Sequence, residues 1–135
     1  MSFVPMSIGG GGQLVETVLW TNDSPTSTFN AQIMVIDTIS KYDYIVIEAR
    51  ISTAVSDTYR FYYKTTDLPS YISGSAALPL IGILNTNSYY YYRPVAYVGT
   101  QMIQIGTCYR NTSSSATSSN NGAVIPTQII GVNIT

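Results

Sequence analysis

The segment Tyr42-Asp-Tyr-Ile-Val-Ile-Glu-Ala-Arg-Ile51 decides the fold. Ile45, Ile47, Ala49 and Ile51 fall on one parity, while Tyr44, Glu48 and Arg50 fall on the other. Alternation with period two places successive side chains on opposite faces of a β-strand. One buried and one solvated face is the habit of antiparallel sheets.

Working outward, the same period recurs. Thr28–Ile36 predicts a strand with Phe29, Ala31, Ile33 and Val35 inward and Asn30 and Gln32 outward. Tyr59–Thr65 predicts Tyr59, Phe61 and Tyr63 on one face, with Arg60 and Lys64 opposite. Further strands are expected at Val15–Trp20, Leu80–Leu84, Tyr89–Val98, Gln101–Tyr109 and Val124–Ile134. Turn-forming clusters separate them: Asn22-Asp-Ser-Pro25, Ser56-Asp57, Asp67-Leu-Pro-Ser70, Gly99-Thr100 and Asn120-Asn-Gly122. No long stretch has a helical period. About eight short strands at this spacing predict an all-β, antiparallel β-sandwich of jelly-roll-like form. Phe29, Ile33, Ile45, Ile47 and Phe61 are its expected core.

The chain divides into two parts. Residues 1–12 close on Gly9-Gly-Gly-Gly12, a run that holds no fixed structure cheaply. They read either as a plain disordered terminus or as a flexible arm, and Phe3, Val4, Met6 and Ile8 favour an arm that docks on a partner and anchors the domain. Residues 13–135 form the β-sandwich domain. Within it, residues 111–122 are a low-complexity run of Ser, Thr and Asn that reads as a mobile surface loop, with contact to a receptor as the alternative.

Composition limits function. Of 135 residues only 10% are charged, against roughly 25% in ordinary soluble domains. Tyr, Ser, Thr and Asn must therefore solvate the surface, as in β-rich extracellular or virion proteins. A formal net charge of −1 without a basic stripe argues against nucleic acid. No apolar run approaches the ~20 residues of a membrane span. The start has no export signal, so a cytoplasmic origin followed by release in a particle is expected. The single cysteine, Cys108, reads as a small buried hydrophobe.

Chemistry is thin. Without histidine the chain lacks the commonest general base, the usual partner of a nucleophilic Ser or Cys, and the commonest zinc ligand. No phosphate-binding loop is present. No two acidic residues share a short loop suited to calcium. Glycoside hydrolysis would need two carboxylates facing one bond, but Asp23, Asp57 and Asp67 lie in turn sequences. Glu48 is expected to pair across strands with a cation such as Arg60. No catalytic residue, metal site or cofactor is predicted. The aromatic content points instead to contact. The segment Tyr89-Tyr-Tyr-Tyr-Arg-Pro-Val-Ala-Tyr97 concentrates the residue types that give large contact area at low entropy cost. Parity predicts Tyr89, Tyr91, Arg93 and Tyr97 on an outward binding surface, with Tyr90 and Tyr92 inward. Pro94 predicts a sheet edge or a bulge there.

Three segments carry a resemblance. Glu16-Thr-Val-Leu-Trp20-Thr-Asn-Asp-Ser-Pro25-Thr-Ser-Thr-Phe29-Asn-Ala-Gln32, Ile39-Ser-Lys-Tyr42-Asp43-Tyr-Ile45 and Val124-Ile-Pro126-Thr-Gln-Ile-Ile-Gly131-Val resemble the opening, a strand start and the closing strand of a β-sandwich module of bacteriophage tail-fibre, head-fibre and other virion-surface proteins. The resemblance spans roughly residues 14–134, with a divergent middle. It implies a jelly-roll-like tip or knob, usually a homotrimer, used for host attachment or for capsid or tail decoration. The implied partners are other virion proteins, further copies of the chain and a host surface glycan. The implied location is the virion surface. A carbohydrate-binding module of bacterial type, without catalytic activity, is the alternative expectation.

Overall fold

The computed structural model describes residues 13–70, 80–84, 90–111 and 117–135. These residues build two antiparallel sheets packed face to face. The strands are β1 (Leu14–Thr21), β2 (Gln32–Val35), β3 (Tyr44–Ser52), β4 (Thr58–Lys64), β5 (Leu80–Leu84), β6 (Tyr90–Gly99), β7 (Met102–Ile105), β8 (Tyr109–Asn111), β9 (Thr117–Ser119) and β10 (Ala123–Ile134). Helix is confined, among the described residues, to two 3-10 turns at Ile39–Lys41 and Thr65–Asp67. The expected all-β sandwich is the observed one.

The first sheet runs β1-β10-β3-β4, so the first and last strands are neighbours. The second is centred on β6, with β5 pairing one side and β7 and β8 also pairing it. Val95 pairs Ile105 and Tyr92 pairs Tyr109. That one-residue step means β7 and β8 follow each other along the same edge of β6, interrupted by an irregularity at Gly106-Thr-Cys108. The amide of Gly106 donates to the carbonyl of Pro94 at 2.9 Å and keeps the ladder joined there. β2 pairs β7 and β9 pairs β8. Both strand prolines are placed where the ladder is irregular. Pro94 faces the step between β7 and β8, and Pro126 adjoins a register shift in β10. Pro94 thus marks an irregularity rather than a sheet edge, because a missing N–H is tolerated where pairing already breaks.

The core lies between the sheets. Ile45, Ile47 and Ala49 of β3 and Ile125 and Ile129 of β10 meet Val95 of β6, Ile103 and Ile105 of β7, and Ile81 of β5. Phe29 and Met34 close one side, and Phe61 packs against the cluster while only partly buried. Of the five expected core residues, Phe29, Ile45 and Ile47 are buried, Phe61 is partly buried, and Ile33 is exposed, at 50%. The inward residues around β2 are Phe29, Met34 and Ile36. Phe29 and Met34 are an odd number of positions apart, because residues 29–31 are not strand. Alternation counted from Phe29 therefore lands on the wrong face, and a one-residue slip inverts every side chain.

The outer face of the first sheet has a small apolar cluster of its own, Val46, Ile130 and Val132, flanked by Leu14, Tyr44 and Tyr62. Arg60 on β4 bonds Glu48 on β3 at 3.2 Å and Glu16 on β1 at 2.9 Å. To reach Glu16 its side chain must cross β3 and β10. The Arg60 stem, running over this face, adds to the cover that Leu14, Tyr44 and Tyr62 give Val46 and Ile130. The cross-strand pairing expected for Glu48 is present, with Glu16 added.

Part of the low-complexity run is ordered differently from the expectation. Thr117–Ser119 forms β9 and pairs β8, so this portion is strand rather than loop, while residues 112–116 lie outside the described residues.

Candidate functional site

The tyrosine strand β6 is turned the other way round from the parity expectation. Arg93 is fully buried, and Tyr91 and Tyr97 are partly buried against the main core. They form no outward contact surface. Tyr89 lies outside the described residues, as do Phe3, Val4, Met6 and Ile8 of the proposed arm.

The reason is local chemistry. Arg93 Nε donates to the carbonyl of Val124 at 2.7 Å. Its Nη1 donates to Gly106 at 3.0 Å, and its Nη2 to Asn121 at 3.2 Å and Ala123 at 3.1 Å. The guanidinium carbon stands 5.2 Å from the centre of the Phe29 ring. A buried charge is tolerated when its donors find acceptors. Four of the five guanidinium N–H groups meet carbonyls here, and an aromatic face lies beside them. Burial draws the Arg93 pKa down to about 10, so the group is charged at neutral pH. Both faces of β6 carry tyrosine, so parity alone had no contrast to read.

The other face of β6 points outward and holds Tyr90 and Tyr92, stacked with ring centres 5.7 Å apart. Tyr92 in turn meets Tyr109 of β8 at 6.1 Å. The row has a built support. Tyr90 lies directly over Gly82 of β5, where a Cβ would collide with its ring. An aromatic ring covering a strand glycine recovers packing that glycine itself cannot offer. Desolvation raises the Tyr90 phenol above its ordinary pKa, with Tyr92 adding to the effect. Tyr109 was not singled out from sequence. Without the step at Gly106-Thr-Cys108 it would stand opposite Tyr91, on the inner face.

The same outer face continues over Met102 and Gln104 of β7 and Ile33 and Val35 of β2, whereas Ala96 of β6, opposite Gln104, is fully buried. Val35 is 69% exposed, and Ile33 and Met102 are also exposed. None of these positions is charged. Uncharged surface carrying tyrosine and exposed aliphatic groups is the composition of contact surfaces.

Glu16 and Glu48 share one guanidinium between them. Among the described residues no three His, Cys, Asp or Glu side chains come together as a metal-binding group. No helix of the described residues is long and apolar enough to cross a membrane. No family model, curated protein or solved structure matches this chain.

Proposed function

We propose that this chain is a bacteriophage virion structural protein, a non-catalytic surface module that works by contact. The observation that carries the reading is the uncharged outer face of the second sheet, with Tyr90 and Tyr92 stacked on it and Tyr109 tilted beside them. Tyrosine rings fixed on a sheet give area at little entropy cost, and they suit a broad partner surface more than a small ligand. The end-segment resemblance supplies the setting: a knob on the particle surface, self-associated as a homotrimer, serving host attachment or capsid or tail decoration. Residues 1–12 act in this reading as the arm that holds the module on another virion protein.

Mass spectrometry and labelling of purified phage particles test it. The chain is expected as a fixed-copy component of the particle, and the purified protein is expected to sediment as a trimer. Tyr109→Ala should weaken self-association or particle binding by roughly thirtyfold, as loss of a hot spot of about 2 kcal/mol does. A monomer found only free of particles, with Tyr109→Ala neutral in binding, overturns the proposal.

A further inference from the structure

A concave feature lies apart from the tyrosine row, at the end of the sandwich where β3 begins and β4 and β10 finish. It is an open groove of about 690 Å³ whose lining includes Tyr42, Asp43, Tyr44, Lys64, Thr66 and Tyr97. That volume is within the range of small-ligand sites.

The fold explains its floor. Tyr42 lies flat over Gly131, where a Cβ would approach the ring to 2.5 Å, and its hydroxyl donates to Asp37 at 3.2 Å. Thr65 donates to the carbonyl of Tyr42 at 2.6 Å, which draws the end of β4 against the start of β3. Asp43 Oδ2 accepts from the amide of Ile134 at 2.9 Å, so the carboxylate is fixed in place. Tyr97 enters from the second sheet on the inward face of β6, opposite to the Tyr90 side.

Several polar groups on this wall are unused. Asp43 Oδ1, the Lys64 ammonium and the hydroxyls of Tyr44 and Tyr97 make no hydrogen bond or ion pair to any described residue. The groove thus offers an acceptor, a cation donor and two amphoteric phenols beside three aromatic rings. One carboxylate and one ammonium leave the set without net charge. This combination matches a neutral polyhydroxylated ring. Its hydroxyls would pair with Asp43, Lys64 and the phenols, and its C–H face would lie on tyrosine. An anionic ligand would meet Asp43, and an aliphatic one would leave the charged groups desolvated and unpaired.

We infer that this groove is a binding site for a neutral saccharide. The site goes beyond the contact role proposed above and holds whether or not the tyrosine row engages a virion partner.

Amide chemical-shift mapping of the full chain tests it, using glucose, galactose, N-acetylglucosamine and their short oligomers at millimolar concentration, with glucuronate as the anionic control. At least one neutral sugar is expected to shift Tyr44, Lys64, Thr66 and Tyr97 together. Lys64→Met and Asp43→Asn should each weaken that sugar about tenfold. Lys64 is exposed, and asparagine keeps the acceptor for the Ile134 amide, so both variants should fold, which their unperturbed spectra would verify. No shift with any neutral sugar, shifts confined to Tyr90, Tyr92 and Tyr109, preference for glucuronate, or full binding by both variants overturns the inference. Loss of particle binding by Tyr109→Ala with the groove shifts intact would separate the two sites.

Discussion

Arg93 and Val124 are joined by a 2.7 Å hydrogen bond from Nε to the Val124 carbonyl, and Val124 holds a φ of 48°. A β-branched residue in that left-handed region is rare and strained. The strained peptide sits at the entry to β10, and three of the four carbonyls that Arg93 gathers lie in Asn121–Val124. The guanidinium thus pins the turn that leads from β9 into the central strand of the first sheet.

Arg93→Met should destabilise the domain by about 3 kcal/mol or more, since it leaves several buried carbonyls without donors. Arg93→Lys should recover only part of this, because an ammonium lacks the planar fork that reaches four acceptors. Urea denaturation of the three proteins measures it. A loss under about 0.5 kcal/mol for Arg93→Met would show that the carbonyls find other partners.

At Val124 the comparison is between two truncations. Both Val124→Ala and Val124→Gly lose a buried side chain and should destabilise. In an ordinary strand glycine would be the worse by about 0.5–1 kcal/mol. Here the positive φ reverses the order, and Val124→Gly should be the more stable of the two by about 1 kcal/mol. Thermal unfolding of the pair decides it, and the usual order would mean that the φ is not retained.

Arg60 separates cover from charge. Arg60→Ala thins the cover over Val46 and Ile130, removes the only ion pair of Glu16 among the described residues and leaves Glu48 with Thr127 alone, and should cost about 1–2 kcal/mol. Arg60→Met restores the apolar cover without the ion pairs and should recover at least half of that loss. Equal losses in both variants, relieved by high salt, would assign the effect to charge instead.

Cys108 should be inert. Burial pushes its thiol up to about 11, so thiolate is scarce at neutral pH and access is closed. An aromatic disulfide reagent at pH 7 should label it only in denaturant. Rapid labelling of the native protein would show that the β7–β8 step opens.

The alternation of Ile45, Ile47 and Ala49 was sufficient by itself to set the all-β class and the orientation of β3. An aliphatic row against one that carries Tyr44, Glu48 and Arg50 has one low-energy assignment, even with Val46 on the second row. The pairing of Glu48 with a cation on the next strand was also legible, because cross-strand neighbours follow from the hairpin. Two features were decided only in three dimensions. The irregular stretch after Phe29 consumed an odd number of residues and exposed Ile33 and Val35. The burial of Arg93 depended on carbonyls from Gly106, Asn121, Ala123 and Val124, which are distant in the chain. Those acceptors turned Tyr91 and Tyr97 inward, and the one-residue step at Gly106-Thr-Cys108 brought Tyr109 beside Tyr92. Period-two patterning reports which residues share a face. It reports which face is buried only when the two differ in polarity, and on β6 they do not.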